Sequence, residues 1–123
     1  MTPDERIKVC ELIESIIAAD GVVADEERAF LRRVLERFGI SEADYGDRIV
    51  TSDAGRVTTR LRTLSPDVQM RVMALLVDAA VVDGTVAPEE RALLLAAAAA
   101  LGVEAAALEE RIAQRLASTT RGA

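Results

Sequence analysis

The sequence predicts an all-α fold of seven helices, built as two copies of one unit, and three observations support this prediction. Half of the 123 residues are hydrophobic but only 2% are aromatic, so aliphatic side chains and alanine must fill the core, which suits closely spaced helices. Apolar residues recur at helical spacing along much of the chain. Residue n also matches residue n+63 over a long stretch, which indicates an internal duplication in a chain of single-domain length.

The duplication pairs residues 3–49 with residues 66–112. Its densest block of identities is Asp-Gly-x-Val-Ala-x-Glu-Glu-Arg-Ala, found at residues 20–29 and again at 83–92. Further identical pairs lie at the helix starts, at the helix ends and along the apolar faces: Pro3/Pro66, Asp4/Asp67, Val9/Val72, Leu12/Leu75, Leu31/Leu94, Gly39/Gly102 and Ile49/Ile112. The strongest constraint on this sequence therefore acts at the same place in both copies.

These boundaries predict a single domain that covers residues 1–123. The two repeat halves of this domain cover about 3–50 and 66–113. A linker at about 52–64 joins them.

Start and stop signals divide each copy into three helices. Thr2-Pro3-Asp4-Glu5 combines an N-cap, a proline at the first helical position and a glutamate placed for a capping box, so the first helix begins at Pro3. Glycines end the first two helices, and Gly39 is predicted to be a left-handed cap. With a short connecting helix in the linker, the expected helices span about 3–20, 25–38, 41–51, 57–64, 66–82, 88–101 and 104–117.

Composition argues against several classes of function. The chain carries 15 Lys+Arg against 21 Asp+Glu, a formal net charge of -6, and neither half forms a basic stripe. We therefore expect no nucleic acid partner. The chain has no histidine and a single cysteine, Cys10, so imidazole and thiolate metal sites and Ser/His/Asp triads cannot form within it. Any metal would need oxygen ligands.

Direct insertion into a membrane is not expected. The longest apolar run, Ala92–Val103, has 12 residues, fewer than the roughly 18 to 20 that are needed to cross a bilayer. The first residues include Asp4 and Glu5, and nothing there resembles a basic start followed by the apolar segment of a signal peptide. We expect the protein to stay in the cytoplasm.

Acidic residues mark the two turns of the duplicated block. Asp20 and Asp83 each follow the end of a helix, where the macrodipole disfavours a negative side chain by about 0.3–1 kcal/mol unless another group compensates. The compensating group is either the set of free N–H groups at the start of the next helix or a cation. Glu27 and Glu90 begin the apolar faces of the following helices, so each must be paired or hydrogen-bonded.

The spacing Asp-Gly-x-Val-x-x-x-Glu matches the second half of a calcium-binding EF-hand loop, which ends in a bidentate Glu. The first half of such a loop is absent, so one turn alone offers too few oxygens for tight calcium binding. Two turns that face each other would pool their acids, namely Asp20, Glu27, Asp83 and Glu90, with Glu26, Glu89 or Asp78 nearby. Four to six oxygens of this kind suit a divalent cation, either Ca, Mg or Mn.

The doubled motif is a helix ending in Asp-Gly, followed by x-Val-x-x-Glu-Glu-Arg at the start of the next helix. It resembles the TerB-like family associated with tellurite resistance, and the resemblance covers residues 3 to about 117. The resemblance implies a seven-helix bundle with pseudo-twofold halves and an accessory role in stress or tellurite response. It implies protein partners, some of them at the membrane, and similar domains occur beside J-domains in co-chaperones. The metal-binding positions that it implies are Asp20, Glu26, Glu27, Asp83, Glu89 and Glu90.

One departure from the family's pattern keeps a second interpretation open. Ala24 and Ala87 stand where many members have a Ser or Thr before the second helix, and a side-chain cap usually worth about 1 kcal/mol is absent there. In the second interpretation, Glu27 and Glu90 bond back to their own helix starts. The arginines that follow them pair with nearby acids.

A basic edge is predicted on the second helix, formed by Arg28, Arg32, Arg33 and Arg37. Glu36 flanks it, and the acidic turn lies close to it in sequence. We interpret this edge as a solvated surface. Docking of an acidic partner is the alternative.

The sequence therefore predicts a non-enzymatic module that binds a divalent cation and presents a surface to protein partners. The alternative is a purely structural protein-interaction domain whose turn carboxylates only cap helices. A metal-dependent hydrolase would need a cleft and a proton-transferring group with a shifted pKa, and the sequence indicates neither.

Overall fold

Six α-helices make up the described part of the chain, and no strand occurs in it. The structure is a computed structural model that describes residues 1–41, 45 and 54–121, without the side chains of residues 54 and 119–121. The all-α class predicted from the sequence is confirmed. The helices are α1 (Pro3–Ile17), α2 (Asp25–Arg37), α3 (Ala54–Arg62), α4 (Pro66–Val81), α5 (Pro88–Ala100) and α6 (Ala105–Arg121).

The helix boundaries follow the local signals in the sequence. At the start of α1, the Thr2 hydroxyl accepts a hydrogen bond from the Glu5 N–H at 3.2 Å, and Glu5 Oε1 accepts one from the Thr2 N–H at 3.1 Å. These two bonds complete the predicted capping box. After α2, Gly39 has a φ of 72°, the left-handed conformation that glycine adopts without a Cβ clash.

The linker helix and the last helix are longer than predicted. Helix α3 begins at Ala54 instead of about residue 57, and α6 continues to Arg121 instead of ending near residue 117. No glycine or proline occurs between Ala105 and Arg121, so no helix-breaking residue ends α6 near residue 117. Even so, none of the described helices combines the length and the apolar character needed to cross a bilayer.

The third predicted helix, at about 41–51, lies outside the described residues except for Ser41 and Tyr45. Tyr45 is helical and its side chain is buried. Its hydroxyl donates a hydrogen bond to Glu14 Oε2 at 2.6 Å, so this position lies against α1.

Helices α1 and α4, which open the two repeats, lie side by side at the centre of the molecule. Most of the large, fully buried side chains belong to them: Val9, Leu12, Ile13, Ile16, Ile17, Val72, Leu76 and Val77. Glu5 Oε2 accepts a hydrogen bond from the N–H of Ser65, the N-cap of α4, at 2.9 Å. The two helices therefore start together and run in the same direction, as expected for halves related by a pseudo-twofold axis parallel to them.

The other helices pack around this pair in matching positions. Helix α2 packs against α1 and α4, and α5 packs against α4 and α1. Helix α3 contacts α5 and α1, and α6 contacts α4 and α5. The turns that follow α1 and α4 therefore leave the central pair at the same end.

Candidate cation site

Two matching turns lie where α1 and α4 finish, and each contains a glycine with positive φ, 78° in the first turn and 88° in the second. The aspartate before each glycine folds back onto its own turn. Asp20 Oδ1 accepts a hydrogen bond from the Val22 N–H at 3.0 Å, and Asp83 Oδ1 accepts one from the Thr85 N–H at 3.1 Å. Both aspartates are exposed. Each aspartate thus accepts its hydrogen bond from a backbone amide of its own turn, two residues further along the chain. The N–H groups in the first turn of the next helix, which the sequence offered as donors, do not serve it.

The glutamates that open the next helices each use one oxygen as a cap. Glu27 Oε1 accepts a hydrogen bond from the Ala24 N–H at 3.0 Å, and Glu90 Oε1 accepts one from the Ala87 N–H at 3.1 Å. Alanine at the N-cap has no side-chain oxygen that could accept a hydrogen bond from the helix N–H groups. Each capping box therefore contains only the hydrogen bond made by the glutamate. This arrangement matches the second interpretation of the sequence as far as the Oε1 atoms are concerned.

The second oxygen of each glutamate is buried and lacks a donor. Glu27 Oε2 and Glu90 Oε2 have no hydrogen-bond partner among the described residues, and each side chain is only 3% exposed. The two carboxyl groups lie within hydrogen-bonding range of each other, but two ionised carboxylates have no proton to donate between them. A proton or a cation is therefore needed to satisfy the pair.

Burial and neighbouring charge raise the pKa of both glutamates. Burial is the largest cause for Glu90, the facing Glu27 carboxyl and the charge of Asp20 add to it, and the pKa of Glu90 reaches about 8. Burial also raises the pKa of Glu27, and the charges of Asp83 and Asp20 act in the same direction. The Ala24 N–H and the hydrogen bond with Glu90 partly oppose this rise. Acids from both turns thus share one electrostatic environment.

The structure brings Glu27 and Glu90 together, places Asp20 and Asp83 where their charges act on this pair, and leaves the other two predicted acids on the surface. Glu26 and Glu89 are exposed in the first turns of α2 and α5. Asp78, also expected nearby, is instead paired with Arg115 of α6 at 2.8 Å. Within the described ranges, no group of three or more Asp, Glu, His or Cys side chains is arranged to hold a metal ion. A cation held by these acids would therefore require Asp20 or Asp83 to leave its turn amide.

The donor set nevertheless fits a hard divalent cation, because it consists of carboxylate oxygens and leaves two of them buried without a donor. The sequence pointed to both glutamates but did not show that their carboxyl groups lie within hydrogen-bonding range of each other. The available signal was their equivalence in the repeat, since side chains close to a twofold axis face their own counterparts. Arg91, the residue after Glu90, forms an ion pair with Glu109 of α6, which links α5 to α6.

The comparison with protein families agrees with the doubled motif. The family model described as tellurite resistance protein TerB matches residues 1–48 and residues 47–113. Together these segments cover most of the chain, and each contains one of the two acidic turns. Searches among curated proteins and among solved structures gave no match. The chain belongs to the TerB family.

Proposed function

We infer that this protein is a non-enzymatic accessory module in the cytoplasm, of the tellurite and stress response type, whose paired acidic turns bind Ca, Mg or Mn. The observation that carries this inference is the pair of buried, donorless oxygens, Glu27 Oε2 and Glu90 Oε2. Leaving such atoms unsatisfied costs about 1–3 kcal/mol each, and more when they are charged. A cation between them would remove this cost and the repulsion between the two carboxylates.

The surrounding charge lets a divalent cation compete with the proton that Glu90, with a pKa of about 8, holds at neutral pH. Asp20 acts on both glutamates and Asp83 acts on Glu27, so four acids concentrate negative charge at one end of the molecule. A single proton leaves most of that charge in place, whereas a divalent cation neutralises half of it. Glu27 and Glu90 would provide the inner ligands, the two aspartates would turn in from their amides, and water would complete the oxygen shell.

Glu26 and Glu89 would contribute at the rim of this site. They are exposed on the first turns of α2 and α5, where their charge adds to the attraction for a cation without a direct bond. The resemblance to the TerB-like family assigns all six acids to the metal site.

A purely structural role for the acids is the second candidate, and the Oε1 bonds to Ala24 and Ala87 favour it. In that case, the domain would act only as a protein-interaction unit, for example beside a co-chaperone. The two candidates differ in one property, because only the first makes stability depend on a divalent cation.

Thermal melting with Ca, Mg, Mn or chelator separates the two candidates. If a cation binds, a free concentration a hundred times above Kd stabilises the protein by about 2.7 kcal/mol, a rise in Tm on the order of 10 °C for a domain of this size. Asp20→Asn/Asp83→Asn and Glu27→Gln/Glu90→Gln should abolish this rise. Asp4→Asn/Asp67→Asn, a matched pair of exposed acids from the two repeats, should retain it.

The structural candidate predicts a different result. The turn variants would then lower Tm by the same amount with each ion and with chelator. Absence of any ion-dependent shift in the unmodified protein would end the proposal of a cation site.

Protein binding is the other part of the proposed function. The TerB family membership supports a helical module of the tellurite resistance type, and we propose protein partners for it, some of them at the membrane. We propose no nucleic acid partner and no catalytic activity.

A further inference from the structure

The linker helix α3 lies in a groove between α5 and α1. It packs mainly against α5 and also contacts α1, and its Val57 and Leu61 are buried. On the α1 side, Lys8 Nζ donates a hydrogen bond to Thr63 Oγ1 at 3.3 Å, and Arg60 forms an ion pair with Glu11 at 2.9 Å. This first groove therefore takes a short amphipathic helix.

The repeat places an equivalent second groove between α2 and α4. Helix α2 corresponds to α5, and α4 corresponds to α1. The end of α6 borders this second groove, because Arg115 and Ser118 line one of its clefts. No described helix lies along the groove in the way that α3 lies along the first one, since α2 packs extensively only against α1 and α4. Two clefts open along it instead. A cleft of about 340 Å³ is lined by Phe30, Arg33 and Val81, and one of about 320 Å³ is lined by Val34 and Leu75 among others.

The strip of α2 along the open groove differs from its counterpart on α5. On α5 the four positions are half-buried or buried, and small side chains predominate: Leu93, Ala96, Ala97 and Ala100. Small residues let α3 approach the α5 backbone closely. On α2 the same positions alternate between apolar and basic residues: Phe30, Arg33, Val34 and Arg37. Both of these arginines are exposed. The second groove thus has an apolar floor that no described helix covers.

The rim of the second groove is basic. Arg33 and Arg37 line it from α2 and Arg71 lines it from α4, and none of the three forms an ion pair with a described residue. Arg71 occupies the repeat position of Lys8, the residue that contacts the α3 segment in the first groove. Asp78, which also lines the second groove, is already paired with an arginine of α6.

Charge decides which helix fits the second groove. The α3 of a second copy carries Arg56, Arg60 and Arg62 and no acid, so the arginine rim would repel it. A helix with an apolar face and acidic flanks matches both the floor and the rim. We propose that the groove between α2 and α4 binds an acidic amphipathic helix of a partner protein, in the way that the first groove holds α3.

This inference rests on the part of the proposed function in which the domain binds proteins. It does not depend on the cation, because the groove residues are separate from the acids of the two turns. Binding measured both in chelator and with divalent cation therefore distinguishes a failure of the groove from a failure of the cation site.

The test uses fluorescence anisotropy with the full chain and two labelled peptides of about 14 residues, long enough to cover a groove of the kind that takes α3. Both peptides carry leucines at helical spacing, and they differ only in their flanking residues, Glu in one and Lys in the other. We expect the Glu peptide to bind at least about tenfold more tightly than the Lys peptide. Arg33→Glu/Arg37→Glu should weaken the Glu peptide at least about tenfold, and the matched control Arg62→Glu/Arg111→Glu should leave it within about twofold.

Backbone amide shifts of the unmodified protein provide a readout that does not need a variant. The Glu peptide should shift amides of α2 and α4 around Arg33, Arg37 and Arg71, with the same affinity in chelator and in calcium. Several results would overturn the proposal: no binding, equal binding of both peptides, loss of binding in the control variant, or shifts confined to another surface. A concentration-dependent dimer that Arg33→Glu/Arg37→Glu dissociates would also overturn it, because a second copy would then be the occupant.

Discussion

Replacing Glu90 with glutamine should stabilise the protein at high pH and have little effect at low pH. Glutamine retains an oxygen that accepts the hydrogen bond now made by the Ala87 N–H to Glu90 Oε1. Its amide N–H₂ can in addition donate to Glu27 Oε2, which has no donor in the described structure. The substitution also removes one of two facing negative charges at a position that is 3% exposed.

The direction of the pH effect follows from linkage. The pKa of Glu90 is about 8 in the folded protein, above its value of 4.5 as an ordinary glutamate. The folded state therefore holds more protons than the unfolded state between these values, so stability falls as pH rises through this window. Glu90→Gln removes that loss.

The expected gain is about 1–3 kcal/mol at pH 9, the cost of leaving one buried acceptor without a donor. At pH 4.5 or below, the protonated acid already donates to its partner, and the variant and the unmodified protein should differ by less than about 0.5 kcal/mol. Urea unfolding in chelator at the two pH values measures both differences. Glu89→Gln is the matched control, because this neighbouring acid is exposed and its loss should not change the pH dependence. A variant that is destabilised equally at both pH values would show that Glu90 does not share a proton with Glu27.

Three further predictions concern the rest of the molecule. The Ser65 and Thr2 N–H groups lower the pKa of Glu5 to about 2, so stability should fall as pH drops from about 4.5 towards 2, and Glu5→Gln should reduce this acid sensitivity in urea unfolding at pH 5 and 3. Leu94→Ala should cost about 2–5 kcal/mol because Leu94 is fully buried, whereas replacing the 79% exposed Met70 with alanine should stay within about 0.5 kcal/mol. Burial raises the pKa of the Cys10 thiol to about 12, so Ellman's reagent should label it only after denaturation, and rapid labelling of the native protein would contradict its position in the core.

Much of the fold could be predicted because its signals are local. The start of α1 depends on hydrogen bonds between residues three apart, and Gly39 ends α2 through its own φ. Each of these two signals lies within four or five consecutive residues of the sequence. The duplication then extends each assignment from the first copy to the second. The lengths of α3 and α6 were less predictable, because the added residues Gly55, Arg56 and Ser118 are exposed and continue no apolar pattern that would mark them as helical.

The candidate site could be predicted only in part. The sequence identified acids at the two turns and required a partner for Glu27 and Glu90, because both begin an apolar face. It left open whether the partner was the helix start, a cation or another acid. The structure assigns one oxygen of each glutamate to its own helix start, leaves the other buried without a donor, and places the two carboxyl groups within hydrogen-bonding range of each other.

Composition and short-range patterns were thus enough to predict the helical class, the repeat, the helix starts and the acids of the two turns, since each depends on overall residue content or on residues close together in the chain. Only the tertiary contacts place Glu27 beside Glu90 and pair Asp78 with Arg115. They also place α3 along one groove, while no described helix lies along the equivalent groove between α2 and α4. Asp78 and Arg115 are 37 positions apart, and Glu27 and Glu90 are 63 positions apart. The packing of α3 has no counterpart in the second repeat, although the two repeats match in sequence. These contacts depend on how whole helices are rotated and placed, and no short-range pattern encodes that placement.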